Sequence, residues 1–452
     1  MPSPPRRLMI KLVGRWTQMV VVAYFFFAGH LACIAQETPK REFLPFHKAV
    51  DLALQNSGVM GMAELGQLRS QKVYQELHNN YIPQLTAGSG LGYAYGFPLT
   101  LEGTAPSLAN FTSTQALFNP ALKQFIRAAK IDWGAAGQDV QDKRDAVILD
   151  TALTYAQLEQ LSGKIKALTE AQEAAGKAQF VSEQRVQQGV DSKLEFTKSQ
   201  LTAARIRLRL AESQGQMDVL REHLAKLVGL PADSIAVEAG SMPQLPQVSQ
   251  DDDLSARARE NSPLVKQADQ KAAAAEARAR GEHKAAVWPT ADIAAQYAYL
   301  ARYNNWETYF RTGTFLVNNF TGGVNIRIPI FSPVQKAKAE QADADAAIAR
   351  KQADLTRNRV SENALKLQRS LRQLAAARDV AKLEWEVAQG ELDAVSGRME
   401  TGAANSRDEA NARLDVDDKH AAYTDSEFDL CRAELQLLQV TGELENWAIP
   451  TH

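Results

Sequence analysis

The side chains best suited to chemistry in this sequence are acids, scattered histidines and three closely spaced glycines. Asp415, Asp417, Asp418 and His420 bring together the oxygen and nitrogen donors that a divalent metal takes. Their segment has a helical pattern, however, and on a helix most of them face water, so a solvated face is the simpler reading. Asp251, Asp252 and Asp253 precede a helical stretch, where acids interact favourably with the N-terminal dipole. Gly88, Gly90 and Gly92 imitate a phosphate loop, but they alternate within a strand-like run instead of joining a strand to a helix. No GxxxxGK[ST] occurs, so the chain does not hydrolyse ATP through a P-loop. None of the seven histidines forms HExxH or a nucleophile triad. The expectation is a non-enzyme with no catalytic residue, no cofactor and no metal.

What must position the remaining side chains is a folded and exported chain. Its 452 residues are 45% hydrophobic and 23% charged, enough for a packed core and without the bias of a disordered chain. A net charge of −2, with charges spread along the chain, gives no footprint for nucleic acid. Arg6, Arg7, Lys11 and Arg15 precede an apolar run at 19–29 and a small-residue end at Cys33-Ile34-Ala35. That order is a secretory signal peptide over 1–35, whose removal leaves a mildly acidic mature protein. A lipidated Cys33 is the alternative, but His30 stands where a hydrophobic residue, usually leucine, is expected. With Cys33 gone Cys431 is alone, so no internal disulfide forms, and its place in a helical seam makes it a small core residue. No other stretch has the roughly 18 to 20 apolar residues of a membrane helix. A chain exported by a Gram-negative cell without such helices is either soluble or a β-barrel.

The mature sequence is written twice. LFNPALKQFIRAA, starting at Leu117, is echoed by IFSPVQKAKAEQA, starting at Ile330, so that Phe118 and Pro120 match Phe331 and Pro333, each 213 positions on. The same offset carries Arg185 and Gly189 onto Arg398 and Gly402, and Gly229 onto Gly442. Upstream, Asn56 matches Asn261 and Pro83 matches Pro289. The expected organisation is a first structural repeat over 36–241, a linker over 242–252 and a second repeat over 253–452.

Each repeat opens with a helical stretch, 44–81 and 254–287, that stops near a proline. Strands follow. Leu85, Ala87, Ser89, Leu91, Tyr93, Tyr95 and Phe97 alternate with small and polar residues; so do Ile293, Ala295, Tyr297 and Tyr299, and again Phe320, Val324, Ile326, Ile328 and Ile330. A further strand, Ser107–Phe118, alternates poorly. Strands of about ten residues with one apolar face suit a tilted bilayer crossing. The aromatics toward strand ends, Tyr303 among them, fit an interfacial girdle. Beyond each Phe-x-Pro the pattern is helical, interrupted near Gly189 and Gly402. Met217, Leu220, Leu224 and Leu227 show seam spacing, as do Phe428, Cys431, Leu435 and Leu438. A helix over 120–189 reaches roughly 100 Å at ~1.5 Å per residue. Four strands per chain are too few for a barrel, so subunits must pool them; two, three or four copies supply roughly 8, 12 or 16.

In order and duplication these features resemble the TolC family of outer-membrane efflux proteins, over nearly the whole mature chain. The shared pattern is helix, proline and strand at the opening, LF or PIF leaving the strand for a long helix, Arg-x-x-x-Gly at a helical tip, and LxxLxGL closing the first copy. The resemblance implies a fold mainly α with membrane β: a homotrimer with one twelve-stranded barrel in outer-membrane lipid and a helical coiled-coil tunnel in the periplasm. It also implies two partners, an inner-membrane transporter and a periplasmic adaptor docking at the tips near Arg185, Gly189, Arg398 and Gly402. Acids after the second tip glycine narrow the tunnel in that family. Here the matching places hold Asp408, as in the family, and Asn411, a departure; in the first copy they hold Glu195 and Lys198. The implied function is a passive exit duct for efflux or type I secretion. A periplasmic coiled-coil adaptor is the alternative, although it would carry compact β-domains in place of four two-faced strands.

Overall fold

The computed structural model describes residues 42–90, 106–246, 253–301, 316–401, 403–404 and 406–449. The expected signal peptide with Cys33, the residues 91–97, Tyr303, Asp251, Asp252, Gly402 and the 247–252 part of the linker lie outside the described residues.

The chain opens with a short strand, β1 (Glu42–Leu44), and two helices, α1 (Phe46–Asn56) and α2 (Gly58–Asn79). The expected single helix is divided at Ser57, whose extended backbone stops α1 while its hydroxyl accepts from the Val59 N–H and starts α2. After Pro83 come β2 (Gln84–Gly90) and β3 (Ser107–Phe118), then α3 (Pro120–Gln187), α4 (Lys193–Val228) and β4 (Ile235–Val237). The second half repeats the plan as α5 (Leu254–Asn261), α6 (Pro263–Val287), β5 (Thr290–Leu300), β6 (Asn318–Arg327), α7 (Pro333–Glu400) and α8 (Ser406–Thr441), with α9 (Leu444–Ala448) added. Here too the opening helix is divided, at Ser262, because Pro263 bars the residue before it from helical geometry.

The repeat is metrical. Both α3 and α7 have 68 residues, and both α4 and α8 have 36. Each long helix starts the same way: the side chain of Asn119 or Ser332 accepts from the backbone three residues on, and proline takes the first turn, where its missing N–H costs nothing.

β2, β3, β5 and β6 form one antiparallel sheet in that order. The helices continuing them, α2, α3, α6 and α7, pack side by side in the same order, so strands and helices make one curtain. Small residues let the helices close up: Ala274, Ala277 and Gly281 of α6 are buried, and the Phe125 ring of α3 lies where a Cβ on Gly281 would stand. Farther from the sheet α4 packs on α3 and α8 on α7, with α8 also touching α3.

The main core sits at mid-height, where α1, α4, α8 and α9 meet α3. Phe46, Val50, Ile148, Tyr155, Leu224, Val228, Leu435 and Leu444 are fully enclosed there. β1 and β4 pair in parallel above it. The Tyr155 hydroxyl ties them down, 2.9 Å from the Leu44 carbonyl and 2.6 Å from Ser241 Oγ, while accepting from the Glu238 N–H. This small sheet has no signature in the sequence, because three residues are too few to show a period.

Candidate functional site: the open sheet and the helical tips

Strand register sorts the four-stranded sheet into two faces. Ala87, Phe111, Tyr297 and Phe320 lie opposite one another across it, and Thr86, Thr112, Gln296 and Thr321 form the adjacent row on the other face. One face is therefore apolar and the other is lined with hydroxyls and amides, the division of a membrane barrel wall. The poorly alternating strand becomes intelligible here. β3 carries irregularities at Ser107/Ala109 and Ala116/Phe118, which interrupt its period without changing its place beside β5. Phe111, Tyr297, Tyr299 and Phe320 gather at the end of the sheet away from the helices, where an interfacial girdle belongs. The closing strand is shorter than its sequence pattern: it ends at Arg327, and Ile328 and Ile330 lie beyond it.

Both outer strands present an unpaired edge. Every residue of β6 is exposed, Phe320 at 74%, and Leu85 of β2 is exposed at 73%. Among the described residues of β2, β3, β5 and β6 only two side chains are charged, Asp292 and Arg327, joined by one contact of 3.3 Å on the polar face. The helical curtain has edges of the same kind. Met62 and Leu65 are exposed on α2, and Ile348, Leu355 and Leu383 on α7.

At the opposite end each hairpin turns at its tip. Gly189 has φ +73°, the left-handed region, and the Val190 N–H returns to the Arg185 carbonyl at 2.9 Å. Ala403 N–H bonds the Arg398 carbonyl at 2.8 Å, so the second turn closes alike. The arginine side chains do not cap these carbonyls as a pair. Arg185 makes a two-pronged bond to Asp191, at 2.8 and 3.2 Å, and its partner raises the guanidinium pKa. In the second copy Ala404 stands in place of Asp191, and Arg398 reaches its own helix at the Ala394 carbonyl, 3.4 Å away.

Of the residues matched to the constriction, Glu195 is half-buried and bonded to Lys198 at 3.0 Å. Asp408 lies exposed in the first turn of α8, and Asn411 is exposed one turn on. The first copy thus neutralises its acid with a neighbour that the second replaces by an amide.

The acids that imitate a metal cluster are engaged separately. Asp418 bonds Arg209 of α4, and His420 packs on Trp385, ring centres 4.7 Å apart. Burial raises the Asp417 carboxyl. A titratable group missed by the sequence is Asp145 on α3, only 3% exposed. Burial, then Glu445 and Asp142, push its pKa up to about 7 against the pull of Gln141 and Arg144. Its signal was slight: an acid near a helical seam, with Glu445 supplied from 300 residues away by α9. Cys431 packs against the main core, and burial pushes its thiol up to about 11.

A family model for outer membrane efflux proteins matches residues 49–230 and again 254–443, most of the chain. The chain is also similar to solved structures. The CmeC outer membrane channel of Campylobacter jejuni superposes with a TM-score of 0.72 at 15% identity, covering 92% of this chain and 91% of that one. The outer membrane protein VceC of Vibrio cholerae gives 0.70 at 18% identity, covering 88% and 96%. The open state of the MtrE outer membrane channel of Neisseria gonorrhoeae gives 0.69 at 17%, covering 89% and 90%. At such identities the likeness is one of fold. No curated protein sequence matches the chain.

Proposed function

From the premise that the chain belongs to the outer membrane efflux protein family and is the outer-membrane channel component of an efflux system, we propose that three copies close one conduit through which cargo leaves unchanged. The observation that carries this is the four-stranded sheet with two open edges and an apolar face that water would penalise. Pairing β6 of one subunit with β2 of the next repeats head to tail, and such a contact gives a ring when its rotation closes, which leaves no strand edge open. Three subunits give twelve strands. The same ring brings the apolar edge of α7 against that of a neighbouring α2, extending the wall below the membrane. A compact periplasmic adaptor has no use for such strands.

In this reading the polar sheet face lines water, and the helices continue the duct through the periplasm. The tips at Arg185, Gly189, Arg398 and Gly402 meet a periplasmic adaptor, which connects the duct to an inner-membrane transporter. The Arg185–Asp191 clasp gives that partner a rigid turn in the first hairpin. Three copies of Asp408 ring the narrow end, with Asn411 and the Lys198-paired Glu195 adding little charge. Carboxylates around a narrow pore attract cations and repel each other, so the ring admits or is blocked by cations until the hairpins spread. The signal peptide over 1–35 and the two-repeat division at the 242–252 linker belong to the same reading.

The test is the state of the mature protein. Membranes separated on a sucrose gradient should carry it with the porins, and detergent-solubilised material should have the mass of three chains. A single chain that stays in solution without detergent ends the proposal.

A further inference from the structure

Asp292 and Arg327 are unusual by context. β2, β3, β5 and β6 contain one acid and one base between them, and every other side chain on these strands is neutral. Asp292 lies opposite Asn325, and Arg327 opposite Thr290, so the two are diagonal neighbours on the face that carries Thr86, Thr112 and Thr321. Both sit at the helical end of the sheet, two residues into β5 and at the last residue of β6. The clasp of Arg185 and Asp191 at the tip, by comparison, is doubly bonded. Here one contact of 3.3 Å joins a carboxylate 29% exposed to a guanidinium side chain 77% exposed. The base stands on the edge strand β6 and the acid on β5 beside it.

We propose that Arg327 and Asp292 form a selectivity belt where the tunnel enters the barrel, with the projecting guanidinium favouring anionic solutes. This rests on the reading of three subunits closing one barrel around the polar face. Twelve strands ~4.8 Å apart and tilted ~40° enclose a backbone ring roughly 24 Å across. An arginine reaching roughly 6 Å inward leaves about 6 Å to the axis, within the screening length of ~8 Å at physiological salt. An ion anywhere in the lumen therefore feels the belt. Because an arginine side chain is longer than that of an aspartate and both start from the same face, the guanidinium reaches nearer the axis, and the pair is neutral in sum but positive toward the passing solute. The conduit then has ends of opposite preference: carboxylates at the tips and guanidinium groups at the membrane. Solutes bearing a carboxylate, phosphate or sulfonate lose least in passing the belt.

Reversal potentials of single channels in planar bilayers under a KCl gradient test it. Arg327→Ala should move the wild-type value toward cations and Asp292→Asn toward anions, each by about twofold in permeability ratio, while Arg327→Lys keeps it. Arg327→Asp, which leaves two carboxylates and no base at the belt, should move selectivity furthest to the cation side. Wild-type potentials in Arg327→Ala and in Arg327→Asp overturn the belt and leave the barrel standing. If the wild-type protein forms no channel in the bilayer, the barrel falls and takes the belt with it.

Discussion

Tyr155 and Gln368 occupy the same position in the two copies, as do Ala152 and Leu365, yet their surroundings differ. Tyr155 is wholly enclosed and holds the small parallel sheet, and Ala152 is buried beside it. Gln368 is half-buried, and Leu365 is 45% exposed. The helices have equal length and nearly equal starts, so the difference lies in what packs on them. α3 is central, touching α1, α2, α4, α6, α8 and α9, whereas α7 touches α5, α6 and α8 and has a free side. The first copy holds the subunit together. The second leaves apolar side chains exposed along α7 and carries Asp408 at the start of α8. Duplication supplied the rods, and divergence in side chains assigned them different work.

The largest test of this contrast is at its core. Ile148 is fully buried in α3, and its counterpart in α7 is Ser361. Ile148→Ala should cost about 2–5 kcal/mol, through lost burial and the cavity left behind. Ser361→Ala should stay within about 1 kcal/mol, since it leaves no such cavity. Heat unfolding of the purified variants, followed by circular dichroism, measures both; equal losses would erase the distinction between the copies.

Asp145 gives the next largest effect, because the second copy has Asn358 there. Its folded pKa of about 7 stands above the unfolded value of about 3.9, so the folded chain holds the extra proton between those limits. Its contribution is full below pH ~4, falls as pH rises through ~7 and is level above, a change on the order of 2–4 kcal/mol. Asp145→Asn, which makes the first copy like the second, should flatten unfolding stability across that window. A slope unchanged in the variant would assign it to other groups.

The tips sharpen the contrast with a smaller change. Asp408→Ala should relieve block by divalent cations and alter single-channel conductance, whereas Glu195→Ala should change both less, because Lys198 already offsets that charge. Conductance and block unchanged in Asp408→Ala would remove the acidic ring. The smallest effect is expected at Gly189. Its left-handed backbone makes Gly189→Ala cost about 1–2 kcal/mol, although no atom lies near enough to clash. The loss should be local, seen as faster hydrogen exchange at the first tip and not the second.

Much of this architecture could be read from residue order. Phe118 and Pro120, repeated as Phe331 and Pro333, marked the strand-to-helix junctions, and the ungapped spacing from there to Gly189 and Gly229 announced two hairpins of equal length. Period-2 runs announced strands wherever both faces kept their chemistry. Reading failed where local signals were weak or partners were remote. Ser57 is a one-residue break inside an otherwise helical pattern. The irregularities of β3 blurred its period, and β1 and β4 are too short to have one. Asp408, Glu195 and the tip arginines could be placed by counting from the tip glycines, but what each of them bonds could not be read.

The sequence alone determined the duplicated plan, the lengths of the rods and the two-faced strands, because helix and strand periods, prolines and left-handed glycines act within a few residues of themselves. Only the tertiary structure decided which rod is central and which is an edge, that Asp191 clasps Arg185, that Glu445 crowds Asp145, and that Asp292 and Arg327 share one face. Those outcomes depend on packing and charge between segments tens to hundreds of residues apart, and nothing local specifies which of them will meet.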